Sequence, residues 1–165
     1  MGINEFFLNA IMDNNLSNVK DEIEKGIDIE ATTDVGWTAL MFAADKGYAD
    51  IAKLLLQNGA DINASDNDGY TSLMGAAFSG RTEVVKLLLD HNADMNVKST
   101  DSESKGTTAL MSAAYNGYTE IVKFLIDKGA DLTAENMYGY TALKSAESEG
   151  HNEIISLLKE AGANK

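Results

Sequence analysis

Apolar residues fall along this chain in short clusters with the spacing of one helical face, and the clusters come in pairs. The first of a pair is brief. Leu40, Ala43 and Ala44 stand at i, i+3 and i+4 behind Thr38, which predicts a short helix with Thr38 as its N-cap. Thr71, Thr108 and Thr141 repeat that signal, and Gly47, Gly80, Gly117 and Gly150 break the chain after each first helix. A second helix is predicted next, with Ile51, Leu54 and Leu55, or Val84, Leu87 and Leu88, on its buried side. Asp50, Glu83, Glu120 and Glu153 sit in its first turn, where carboxylates complement the helix dipole. Gly59, Gly129 and Gly162 stand where a left-handed residue should end it, and Asn92, the next-best left-handed residue, takes that place in one copy.

The pairs recur with a fixed period. Gly36-Trp37-Thr38-Ala39-Leu40-Met41 returns as Gly69-Tyr70-Thr71-Ser72-Leu73-Met74, Gly106-Thr107-Thr108-Ala109-Leu110-Met111 and Gly139-Tyr140-Thr141-Ala142-Leu143-Lys144, at spacings of 33, 37 and 33. Gly26-Ile27-Asp28-Ile29-Glu30, Gly59-Ala60-Asp61-Ile62-Asn63, Asn92-Ala93-Asp94-Met95-Asn96 and Gly129-Ala130-Asp131-Leu132-Thr133 form a second series, and Gly162-Ala163-Asn164 opens a fifth copy. Both series place four extra residues between Asn96 and Gly106, in a polar insertion read as Ser99 to Ser104. Units that recur every 33 residues or so bury their apolar faces on one another and form a solenoid. Asp28, Asp61, Asp94 and Asp131 share one position and are read as turn formers that bond nearby backbone.

On these motifs the chain resembles the ankyrin-repeat family from end to end. The pattern Asp-x-x-Gly-x-Thr-x-Leu-x-x-Ala-Ala-x-x-Gly, then an acid, a Leu-Leu pair and Gly-Ala-Asp-x-Asn, stands almost intact from Asp66 to Asn96. The resemblance implies an all-α fold: an α-solenoid of helix-turn-helix units joined by β-hairpin-like loops. Residues 1–165 are expected to form one domain, with internal repeats at 34–66, 67–104 and 105–137 between capping repeats at 1–33 and 138–165. Lys20, Asp21 and Glu22 replace Lys53, Leu54 and Leu55, and Lys159 replaces Leu56, as solvent-facing ends require. The family's Thr-Pro-Leu-His tetrapeptide appears as Thr-Ala-Leu-Met or a close variant, so methionine packing is expected in place of histidine hydrogen bonds.

Composition narrows the chemistry. Hydrophobic residues at 44% and charged residues at 24% fit a folded chain and disfavour both wholesale disorder and a membrane span. Met1 to Asn9 holds no Lys or Arg and no sustained apolar core, so a cytoplasmic location is expected. The absence of cysteine removes thiol nucleophiles and cysteine-ligated metals. His151 shares a position with Tyr48, Arg81 and Tyr118, and His91 precedes the helix-ending Asn92, so both are read as structural. No phosphate-cradling glycine loop is present. Asp66-Asn67-Asp68-Gly69 would put Ala64 and Gly75 at the ligand positions of a calcium loop and is read as a hairpin turn. Neither catalysis nor a metal or other cofactor is expected. A net charge of −13 would repel nucleic acid and anionic membrane.

What remains is a protein partner, met by a monomer. The resemblance implies a concave groove lined by the hairpin tips and the exposed side of the first helices. Those positions hold Trp37, Tyr70, Tyr138 and Tyr140 at the tips, the pairs Asp45-Lys46, Phe78-Ser79 and Tyr115-Asn116 closing first helices, and Phe42 beside them. Exposed aromatics are usual interface anchors, although a tip aromatic can equally pack on the next hairpin. Charge is uneven, −5 over residues 1–33 and −1 over each of 105–137 and 138–165, so a basic partner surface would be drawn to the N-terminal half. The expected function is non-catalytic protein binding. The alternatives are an acidic immunity or inhibitor protein, and an enzyme or small-ligand binder using groove carboxylates and tyrosines.

Overall fold

A threonine hydroxyl starts four of the helix pairs: Thr38, Thr71, Thr108 and Thr141 each accept a hydrogen bond from the backbone N–H three residues on. In the computed structural model, which describes residues 2–163, ten helices follow in five pairs. The pairs are α1 (Glu5–Met12) with α2 (Leu16–Glu24), α3 (Ala39–Lys46) with α4 (Ala49–Gln57), α5 (Ser72–Phe78) with α6 (Thr82–Asp90), α7 (Ala109–Tyr115) with α8 (Thr119–Asp127), and α9 (Ala142–Glu149) with α10 (Asn152–Glu160). Odd-numbered helices pack on one another in one layer and even-numbered helices in a second. The chain is therefore the all-α repeat solenoid that its period predicts. Asn164 lies outside the described residues.

Alanine makes the layers close. Ala39, Ala43, Ala44, Ala76, Ala77, Ala113, Ala114 and Ala146 are fully buried, and Met41, Met74 and Met111 fill the space where histidine is missing. The second helices end alike: Ala60 N–H donates to Leu55 O, Ala93 to Leu88 O, Ala130 to Leu125 O and Ala163 to Leu158 O, around a left-handed residue in each turn. Asn92, at φ 62°, does this without being glycine.

The repeats are also stitched to one another by polar groups. Asp61, Asp94 and Asp131 donate their backbone N–H to the side chains of Glu30, Asn63 and Asn96 in the preceding unit. Their own carboxylates close the local turns as expected, accepting from Asn63, Asn96 and Thr133 N–H. Hairpin tips are linked through backbone as well, Asn67 N–H to Val35 O, Thr100 N–H to Asp68 O and Met137 N–H to Lys105 O. These tips are hydrogen-bonded turns; the only bridge recorded among the described residues joins Ser65 and Thr71.

The position shared by Tyr48, Arg81 and His151 reaches back one unit. Tyr48 Oη donates to Met12 O and Arg81 Nε to Asp45 O, while His151 Nε2 lies 2.9 Å from Tyr115 O, so the side chain caps the end of the preceding first helix. His91 Nδ1 lies 2.9 Å from Leu87 O in its own helix. Each histidine ring thus contacts a backbone carbonyl near the end of a helix.

Two expectations need correction. Glu22 does not face solvent freely: its position points inward, its side chain is only 14% exposed, and its carboxylate reaches Lys25 Nζ at 2.7 Å. That hydrogen bond holds the Lys25 ammonium above the usual lysine range. Ser99 is not part of the insertion. It is the hairpin's first residue, pairing with Thr107 as Asp66 pairs with Tyr70, and it is 1% exposed, so the extra length lies within residues 100–106. At the other end Lys159 does face solvent and pairs with Glu147 at 3.0 Å.

Two stability measurements follow from this packing. A Cβ on Gly117 would lie 2.6 Å from the His151 ring, whereas a Cβ on Gly150, at the end of the array, would meet nothing within 4 Å. Both have positive φ. In urea denaturation, Gly150→Ala is expected to cost about 1 kcal/mol of backbone strain and Gly117→Ala about 3 kcal/mol, because the His151 cap must also shift. Ser72 occupies the position of Ala39 and Ala109, and its Oγ is buried without a hydrogen-bond partner. Ser72→Ala is expected to stabilise the chain by about 1 kcal/mol, seen as a raised Tm.

Candidate functional site

An open cleft of ≈ 640 Å³ runs along the third to fifth helix pairs. The hairpin tips supply Tyr70, Thr107, Tyr138 and Tyr140 on one side. The other side comes from first helices: Phe78 at the end of α5, Met111, Ser112 and Tyr115 on α7 with Asn116 after it, and Ser145, Ser148 and Glu149 on α9. The register of the repeat explains the convergence. Phe78 and Tyr115 hold the same place in successive units, so stacking the units sets their rings in a row.

Six of the residues singled out by sequence meet here: Tyr70, Phe78, Tyr115, Asn116, Tyr138 and Tyr140. Phe78, Tyr115 and Tyr138 are 56%, 51% and 63% exposed, far more than a ring needed for the core. The other candidates lie elsewhere. Trp37 packs edge-on against Phe42 with ring centroids 4.9 Å apart, and its Nε1 donates to Asp66 Oδ2 at 3.0 Å, so this pair is half-buried between the second and third units. Asp45 accepts from Ser79 Oγ at 2.7 Å and pairs with Lys46 at 3.2 Å, a polar joint between α3 and the end of α5. Tyr70 is half-buried as well, because its hydroxyl shares a 2.9 Å hydrogen bond with Ser104 Oγ.

The insertion proves to be one wall of this cleft, through Glu103 and Ser104. Its shape comes from Asp101, whose carboxylate accepts from the Ser104 hydroxyl and from the backbone N–H of Glu103 and Ser104. The Ser104 hydroxyl, ahead of those backbone donors, holds the Asp101 carboxyl below the usual aspartate range. Glu103, Ser104, Ser148 and Glu149 were not among the candidate residues, although the Ser148-Glu149 pair fell at a groove position and the insertion was open to partner contact. For the last two a signal existed, since Ser148-Glu149 is the counterpart of Phe78-Ser79 and Tyr115-Asn116. Glu103 and Ser104 belong to the one stretch without a repeat counterpart, so the sequence allowed a partner-contacting finger there without placing it on the cleft.

The lining offers aromatic faces, hydroxyls, amides and two carboxylates, Glu103 and Glu149, and none of its residues is His, Lys or Arg. Its hydroxyls therefore have no neighbouring imidazole or amine within the cleft to take their proton. The set suits stacking, hydrogen bonding and acceptance of positive charge. Among the described residues no helix is long and apolar enough to cross a membrane, and no group of three or more His, Asp or Glu is placed to hold a metal ion.

A family model described as ankyrin repeats, in three copies, matches residues 7–99 and again 97–165. No curated protein matches the chain.

The Asp101 contacts make a measurable claim about the cleft wall. A carboxyl held below its ordinary value contributes fully at neutral pH, and the contribution is lost as acid protonates it through that lowered value. By hydrogen exchange at neutral pH, Asp101→Ala is expected to speed exchange of the Glu103 and Ser104 amides by on the order of tenfold. The same amides of the native chain should loosen only in acid, and the exposed loop should leave the global Tm unchanged.

Proposed function

Since the chain belongs to the ankyrin-repeat family, whose members are generally protein-interaction modules, we propose that it is a non-catalytic module that binds a protein partner through its concave side, centred on the cleft of the third to fifth helix pairs. The observation that carries this reading is the set of open rings, Phe78 and Tyr115 on one wall and Tyr138 on the other, each more than half exposed in an open cleft. Large rings left open at the centre of a surface are the usual anchors of an interface. The cleft walls are built from backbone-bonded hairpins and short helices locked to their neighbours, so little ordering is required on binding. Trp37, Phe42, Asp45, Lys46 and Ser79 support the surface from within the N-terminal half and stand outside its centre.

A second reading, neutralisation of a basic protein by an acidic immunity or inhibitor protein, is favoured by the net charge of −13. Its mark is an association rate that falls steeply with added salt.

Affinity capture from the source cell lysate tests the first reading, comparing the native chain with the combined variant Phe78→Ala, Tyr115→Ala, Tyr138→Ala after circular dichroism shows that both are folded. A protein retained by the native chain and lost by the variant is the expected result. Equal retention by both would move the interface off the cleft.

A further inference from the structure

Several acids of the C-terminal half are paired with cations, and the two that line the cleft are not. On the second-helix layer Glu120 pairs with Lys86 at 2.8 Å, Glu153 with Lys123 at 3.0 Å and Asp90 with Lys128 at 2.9 Å, whereas Asp127 has no such partner among the described residues. Glu147, on α9, has Lys159. Glu103 and Glu149, the two acids that line the cleft, have no ammonium or guanidinium beside them among the described residues. Lys144 lies in the shallow depression next to the cleft, and its ammonium is already engaged, donating to Gly139 O at 2.7 Å. Two unpaired carboxylates and open aromatic faces thus converge on one concavity with no cation of its own.

We propose that this cleft takes an arginine side chain presented by an extended, basic segment of the partner protein. This rests on the reading of the cleft as the partner-binding surface and names the chemistry recognised there. A guanidinium is planar, so it stacks on the faces of Phe78, Tyr115 or Tyr138 and still directs its N–H groups outward in the ring plane. Those donors meet the two acceptors that the walls provide, Glu103 from the insertion and Glu149 from the end of α9. An ammonium has neither the plane nor the fork. A second copy of this chain does not fit the description: its one arginine, Arg81, is engaged with Asp45 O. The four extra residues of the third hairpin acquire a role in this account, since they bring Glu103 to the wall while Ser104 anchors Tyr70.

The test is an NMR titration of the full chain, near physiological ionic strength so that the diffuse acidic field is screened. The probes are the blocked peptide acetyl-Gly-Arg-Gly-Arg-Gly-amide, its citrulline counterpart, which keeps the shape and removes the charge, and its lysine counterpart. Saturable shifts of the Phe78, Tyr115 and Tyr138 ring signals are expected with the arginine peptide, with binding weaker by on the order of tenfold for citrulline and weaker also for lysine. The conservative pair Glu103→Gln, Glu149→Gln should weaken the arginine peptide and leave the citrulline peptide unchanged. Equal binding of arginine and citrulline peptides, tighter binding of lysine, or shifts confined to residues 1–33 would each overturn the proposal. Its failure is distinct from failure of the cleft as a binding surface. If the peptides behave alike while the Phe78, Tyr115, Tyr138 variant still loses its captured protein, the arginine chemistry falls and the surface stands.

Discussion

No helix among the described residues is long enough to stand alone. Each has seven to nine residues, well under the length at which an isolated helix holds in water, so every one depends on burying its apolar face against the next unit. That single constraint sets the composition of the layers. Inner helices approach closely enough to need alanine at Ala43, Ala44, Ala76, Ala77, Ala113 and Ala114. It also sets the glycines at their ends, where the next unit's Arg81, Tyr118 or His151 side chain occupies the space a Cβ would need.

Because each unit leans on its neighbour, the polar groups that would be orphaned at helix ends and turns find partners across the junctions. Asn63 and Asn96 accept from the following turn, and Tyr48, Arg81 and His151 cap the preceding helix. The ends of the array are handled differently. At the C-terminal end Lys144 and Glu147 replace the buried Met and Ala of inner units, and Lys159 replaces Leu56, Leu89 and Ile126, which are half-buried or buried. At the N-terminal end Phe6 remains 56% exposed at the position of buried Ala39.

The cleft is a product of the same stacking. A repeating unit presents the same position at regular intervals on one face, so three or four substitutions at that position compose a continuous surface without disturbing the core. Phe78, Tyr115 and Ser148 are successive versions of one position, and Tyr70 and Tyr140 are versions of another. The insertion breaks the regularity where it adds a wall, and Asp101 gives that wall a defined shape through local hydrogen bonds.

The four threonine-capped helix pairs, the left-handed glycines, the polar C-terminal end and the stretch that holds the extra residues were legible in the sequence, although the insertion was begun one residue early at Ser99. Each depends on residues a few positions apart and is written several times over, so one copy checks another. The exposure of individual groove residues was not legible. Trp37 and Tyr70 looked as open as Tyr138, and only the folded chain brings Asp66 to the Trp37 indole across 29 residues and Ser104 to the Tyr70 hydroxyl across 34. Glu22 looked like a solvent-facing end residue until its position pointed it inward. The period and the caps are local and come from the sequence by itself, whereas contacts between units, and therefore which aromatics remain open and which acids remain unpaired, exist only once the units are stacked.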